Sequence, residues 1–154
     1  MKPTKNSVAI VIKNSQGQFL VVKRPEDEDG LLAGVWGFPA ITLHDGESEP
    51  DAALRVGQTK LGVNLQIGDK IGERTADRSN YVLHLSNYAA TIASGDSPKV
   101  PQPDTSMTQY VELKYADDPR ILFSAAQHGS LCSQVYLASI GVDWDEFAKT
   151  SRIS

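Results

Sequence analysis

Residues 30–63, GLLAGVWGFPAITLHDGESEPDAALRVGQTKLGV, are the stretch around which the rest of the chain is organised. They read as a loop, a strand, an acidic turn and one short helix. Ser48 suits the N-cap, because its hydroxyl can accept from an orphan amide of the first turn, and Asp51 three residues on can reach back as the second half of a capping box. Glu49 and Pro50 suit the first turn, and Gly62 is a C-terminal stop. Ala53, Gly57 and Leu61 recur every four residues with Leu54 beside them, so that side is expected to pack on a sheet. The face carrying Val56, Thr59 and Lys60 is expected to point elsewhere.

The spacing of this stretch resembles the Nudix box of the MutT-like pyrophosphohydrolases: Gly, five residues, Glu, seven residues, Arg-Glu, an aliphatic, any residue, Glu-Glu, any residue, Gly, aliphatic. Glu47, Arg55, Gly62 and Val63 match, and WGFP at 36–39 stands where many members carry a similar phrase. Ile41 replaces the motif glycine, Val56 the glutamate after the arginine, Gly57 the aliphatic residue, and Thr59 and Lys60 the glutamate pair. The resemblance implies an α/β fold, a Nudix-type α/β/α sandwich on a mixed β-sheet. It also implies hydrolysis of a nucleoside diphosphate derivative, with Mg or Mn as cofactor if the protein is catalytically active. In that reading Glu47 is the catalytic and metal-binding acid, with Asp45 and Glu49 as further oxygen donors, and Arg55 fills a box position of structural character. Arg24, Trp36, Phe38 and Lys60 are the residues expected to meet a small nucleotide-type ligand.

The substitutions have a plain chemical meaning. On an α-helix, positions 56, 59 and 60 stand at i, i+3 and i+4, where three carboxylates would form one cluster able to hold divalent cations against a diphosphate. Such cations neutralise phosphate charge and lower the pKa of the attacking water. Valine, threonine and an ammonium do neither. Two readings therefore stay open: a hydrolase whose metal is held by the loop acids at 44–51, or a binding module that kept the fold without the cleavage. A second resemblance bears on the latter. RPEDEDGLLAGVWGFP at 24–39 is similar to the opening of the MutT-like C-terminal domain of adenine DNA glycosylases, which lacks hydrolase chemistry and recognises an oxidised guanine.

Composition bounds the partners. The 154 residues, 40% hydrophobic and 22% charged, suit one globular domain spanning 1–154, with a loosely tied tail from about residue 142 in which Trp144 and Phe147 serve as anchors. A net charge of -4 argues against a broad electrostatic grip on duplex DNA. The single cysteine, Cys132, reads as an inert core thiol. No segment has the apolar length of a membrane helix, which makes the cytoplasm the expected location.

Outside the box, residues 7–12 and 19–23 are rich in valine and isoleucine around the turn NSQGQ and read as an antiparallel pair. The acidic run at 26–29 reads as a solvated loop tip. Residues 36–43, 62–74, 80–92 and 109–115 read as further strands, the second of them irregular, with 94–106 as a long loop. Asp117-Asp118-Pro119 opens a helical region with Leu122, Ala125 and Ala126 on its apolar stripe, and 131–140 forms a second helix burying Val135, Leu137 and Ile140. His84 and His128 are each expected to bond a neighbour rather than a ligand.

Overall fold

The protein is seen as a computed structural model that describes residues 2–26, 32–104 and 107–144. Most of the acidic run at 26–29, two residues of the 94–106 loop, Phe147 and the tail from 145 onward lie outside the described residues.

Among the described residues, seven strands form two sheets. One holds β4 (Ala40–Thr42), β1 (Thr4–Ile12), β6 (Val82–Ile92) and β5 (Leu65–Asp77) in that order; the other holds β3 (Trp36–Gly37), β2 (Phe19–Lys23) and β7 (Glu112–Ala116). The first sheet is mixed. β1 runs parallel to β6 from Thr4 opposite Val82 to Ile12 opposite Ala90, and its other neighbour, β4, is antiparallel. β5 and β6 pair antiparallel with register breaks near Lys70, which is the irregularity expected for that segment.

Alternation along the strands builds two cores. Val8, Ile10 and Ile12 of β1, with Leu20 and Val22 of β2, face helix α1 (Glu49–Val56). Ala9 and Val11, with Phe19 and Val21, face α2 (Phe123–Gln127) and α3 (Leu131–Ser139). Strands buried on both faces read as nearly continuous apolar runs, which is what 8–12 and 19–22 are. Helices on both sides of the sheet layer complete an α/β/α sandwich. Phe19, Phe38 and Tyr136 form an aromatic knot in the second core, with ring centroids 5.0–6.0 Å apart.

The box helix starts as its sequence requires. The Ser48 hydroxyl accepts from the Asp51 amide at 3.2 Å, and Pro50 lies in the first turn. It stops at Gly62 as expected, but not as a plain α-helix. After Val56 the chain widens into one π-helical turn, Gly57–Leu61, closed by Gly62 at φ 71. Gly57 lies so close to the start of β5 that an added Cβ would stand 2.6 Å from Leu65 Cγ and 2.9 Å from the Val63 carbonyl oxygen.

Several expectations need correcting. Residues 7–12 and 19–23 turn back on each other, with the Asn14 amide donating to the Gln18 carbonyl, yet they join different sheets. The strand expected over 36–43 is two short strands, because the chain leaves one sheet at Gly37 and enters the other at Ala40, with Pro39 unable to donate to a ladder. Leu54 is 37% exposed rather than packed on the sheet, and Val56, expected to point away from the sheet-packing side, is completely buried against β1 and β2. Ile140 is exposed beyond the end of α3. Among the described residues no helix is long and apolar enough to cross a membrane.

Candidate functional site

The passage from one sheet to the other leaves a cavity of about 580 Å³ along residues 37–44. One wall comes from the box helix and the segment before β7, through Arg55, Lys60, Thr108 and Tyr110. The opposite wall comes from β6 and the α2–α3 junction, through Leu83, Leu85, Ser130 and Cys132, with Arg78 from the β5–β6 turn. Arg24 and Phe38 line it as well. Trp36 does not; it stands across from Lys23 in the sheet, with the Lys114 ammonium 4.7 Å from its ring centroid.

The surviving box acid is turned toward its own loop. Glu47 Oε1 accepts from the His44 amide at 2.9 Å and from Arg55 Nη2 at 2.9 Å, while Oε2 accepts from Arg55 Nε at 3.0 Å. Arg55 Nη2 also donates to the Thr42 carbonyl at 2.8 Å, so one guanidinium ties the end of β4, the turn and the helix together. The paired side chains are only 15% and 18% exposed. The Arg55 hydrogen bonds, helped by the His44 amide, hold the Glu47 carboxyl down at a pKa of about 2. A bidentate arginine of this kind fixes geometry as well as charge.

The neighbouring acids do not join it. Asp45 is exposed on the turn. Glu49 accepts from Tyr88 at 2.7 Å, from Ser86 at 2.8 Å and from Lys70 at 3.3 Å, which aims it at the sheet. Burial pushes the Glu49 carboxyl up, but those three donors outweigh it and its pKa falls below the ordinary value.

At the remaining box positions, Val56 is in the core, the Thr59 hydroxyl donates to the Arg55 carbonyl at 2.7 Å, and Lys60 is buried to 7% exposure. The Lys60 ammonium donates to the Thr108 carbonyl and lies 5.4 Å from the centroid of the Tyr110 ring. This donor set does not fit a divalent cation, which takes several oxygens at close range. Among the described residues no three His, Cys, Asp or Glu side chains converge to hold a metal ion. The cavity wall instead contains Arg24, Arg55, Lys60 and Arg78, and no Asp or Glu among the described residues.

The structure thus gathers Arg24, Phe38, Arg55 and Lys60 along one cavity, and leaves Trp36, Asp45 and Glu49 outside its wall. Sequence reasoning did not find the contribution of Arg78, Thr108, Ser130 and Cys132. The alternation of Leu83 and Leu85 marks one face of β6, but nothing local ties Arg78 or Thr108 to the box. Two of the three histidines bond neighbours, as expected: His84 bonds Glu73 at 2.9 Å and His128 bonds the Ser124 carbonyl at 2.7 Å, while His44 lines the cavity.

The family model described as the NUDIX domain matches residues 3–123. Among solved structures, the E. coli ORF135 protein superposes with a TM-score of 0.66 at 20% identity, covering 91% of this chain and 93% of that one. A MutT protein from Methanosarcina mazei Go1 gives 0.65 at 17% identity, covering 90% and 94%. At those identities the likeness is one of fold. A 41-residue segment is 51% identical to the adenine DNA glycosylase of Arabidopsis thaliana, covering 27% of this chain and 6% of that protein.

Proposed function

The chain belongs to the NUDIX domain family, and on that premise we propose that it binds a nucleotide-type phosphate ligand in the cavity beside the box helix and does not cleave it by metal-dependent hydrolysis. One observation carries the reading. The cavity wall holds four cationic side chains, of which Arg55 is paired with Glu47, and, among the described residues, no carboxylate, whereas metal-assisted cleavage of a diphosphate needs acids there. A positive wall attracts the phosphates that a cluster of acids would approach only through bound metal. Arg24 and Lys60 meet the phosphates in this reading, Phe38 and the β6 leucines supply apolar surface for the nucleoside, and the Glu47–Arg55 pair holds the loop that forms the cavity edge.

The test is a panel of nucleoside diphosphates, triphosphates and diphosphate-linked conjugates. Each is assayed for affinity and, with magnesium or manganese, for released phosphate or monophosphate. Saturable binding with no release above the protein-free blank is expected. Metal-dependent release that scales with protein overturns the proposal. A narrower reading, in which the ligand is an oxidised guanine nucleotide, draws support from the segment shared with the adenine DNA glycosylase. It requires tighter binding of the oxidised than of the ordinary guanine nucleotide in the same panel, and equal affinities reject it.

A further inference from the structure

The box helix places an ammonium where the family pattern places a metal-binding carboxylate, and its surroundings fix that ammonium in position. Lys60 lies on the π-helical turn with its side chain in the cavity wall and its Nζ bonded to the Thr108 carbonyl. The Tyr110 ring faces the ammonium at 5.4 Å, and the Tyr110 hydroxyl accepts from the Ala40 amide at 2.9 Å, so the ring is itself anchored to β4. The carbonyl that holds Lys60 belongs to a segment pinned to the same helix. Gln109 Nε2 donates to the Thr59 carbonyl at 3.2 Å and to the Asp104 carbonyl at 3.0 Å. A lysine on an open surface loses most of its rotamer freedom when it grips a ligand. Here that ordering is already done, and low exposure keeps the charge from being screened by water.

We propose that the Lys60 ammonium replaces the divalent cation of the family's box, so that ligand phosphate is held at this helix without metal. The proposal rests on the nucleotide reading above and names the group that does the holding. A fixed single charge neutralises part of a phosphate's charge and offers it a hydrogen-bonding cation. It carries no water to be activated, so binding and cleavage separate at this one position.

Calorimetric titration of the whole chain with a nucleoside diphosphate and with inorganic pyrophosphate tests it. Affinity is expected to stay within about twofold when EDTA replaces magnesium, and to weaken as salt is added. Lys60→Met is expected to weaken it by at least ~10-fold, and Lys60→Arg, which keeps the charge, to retain most of it. Lys70→Met, outside the cavity wall, is the control and is expected to leave it unchanged. Thermal melts establish that each variant is folded; if Lys60→Met does not fold, Lys60→Gln, which keeps a donor for the Thr108 carbonyl without the charge, takes its place and is expected to weaken binding as much. Binding that disappears with EDTA, or that ignores both Lys60 substitutions, overturns the role of Lys60 while leaving a nucleotide ligand in place. Failure of every phosphate probe to bind the unaltered protein overturns the nucleotide reading and this proposal together.

Discussion

The carboxylate of Glu47 holds the turn before the box helix to the helix itself, through two bonds from Arg55 and one from the His44 amide. Its pKa near 2, against an ordinary 4.5, fixes how that contribution depends on acidity. Between those values the unfolded chain binds more protons than the folded one, so stability from this pair is complete above about pH 4.5 and is lost as pH falls toward 2. Glu47→Gln is expected to destabilise the protein at neutral pH by ~1–3 kcal/mol, the range for a hydrogen bond to a charged partner left unmade. Urea titrations across pH check this: the gap between variant and parent is expected to close through the acid window. A gap that stays constant there contradicts the pairing. The motif acid was legible from spacing alone, but its partner geometry was not, because the loop's backbone decides where the carboxylate points.

The helix 49–61 shows which elements a sequence announces. Its start was legible because Ser48, Glu49 and Pro50 act locally, within one turn, and Gly62 marks its end by the same kind of local requirement. The face of 56, 59 and 60 was misread because Val56 belongs to the buried side of the regular helix, with Ala52 and Ala53 three to four residues before it, while Lys60 on the wider turn lines the cavity wall. Gly57 has no room for a side chain there. Gly57→Ala is expected to lower the urea midpoint by the equivalent of ~1–3 kcal/mol through overpacking against Leu65 and the Val63 carbonyl, despite alanine's better helix propensity. An unchanged or raised midpoint contradicts the close approach. The strands were legible as strands but not as sheets: the continuous apolar runs 8–12 and 19–22 mark strands buried on both faces, and carry no information on which neighbour each strand joins.

At the scale of the molecule, charge is divided between inside and outside. The chain as a whole carries -4, yet the charged side chains in the described wall of its cavity are all cations, Arg24, Arg55, Lys60 and Arg78, with Arg55 paired to Glu47. An extended polyanion such as duplex DNA meets the net field, whereas a small phosphate ester inside the cavity meets the local one. That division was half legible. Arg24, Arg55 and Lys60 were named from the sequence, but Arg78 reaches the same cavity only because β1 runs beside β6 and the chain changes sheets at Phe38-Pro39. Phosphorus NMR of a nucleoside diphosphate mixed with the protein and magnesium tests the central claim most directly, because it reads binding and cleavage in one sample. The phosphate resonances are expected to shift or broaden in proportion to the protein added and to persist without loss of intensity over prolonged incubation. Growth of monophosphate or orthophosphate resonances with protein concentration, or a spectrum that the protein leaves untouched, contradicts the account.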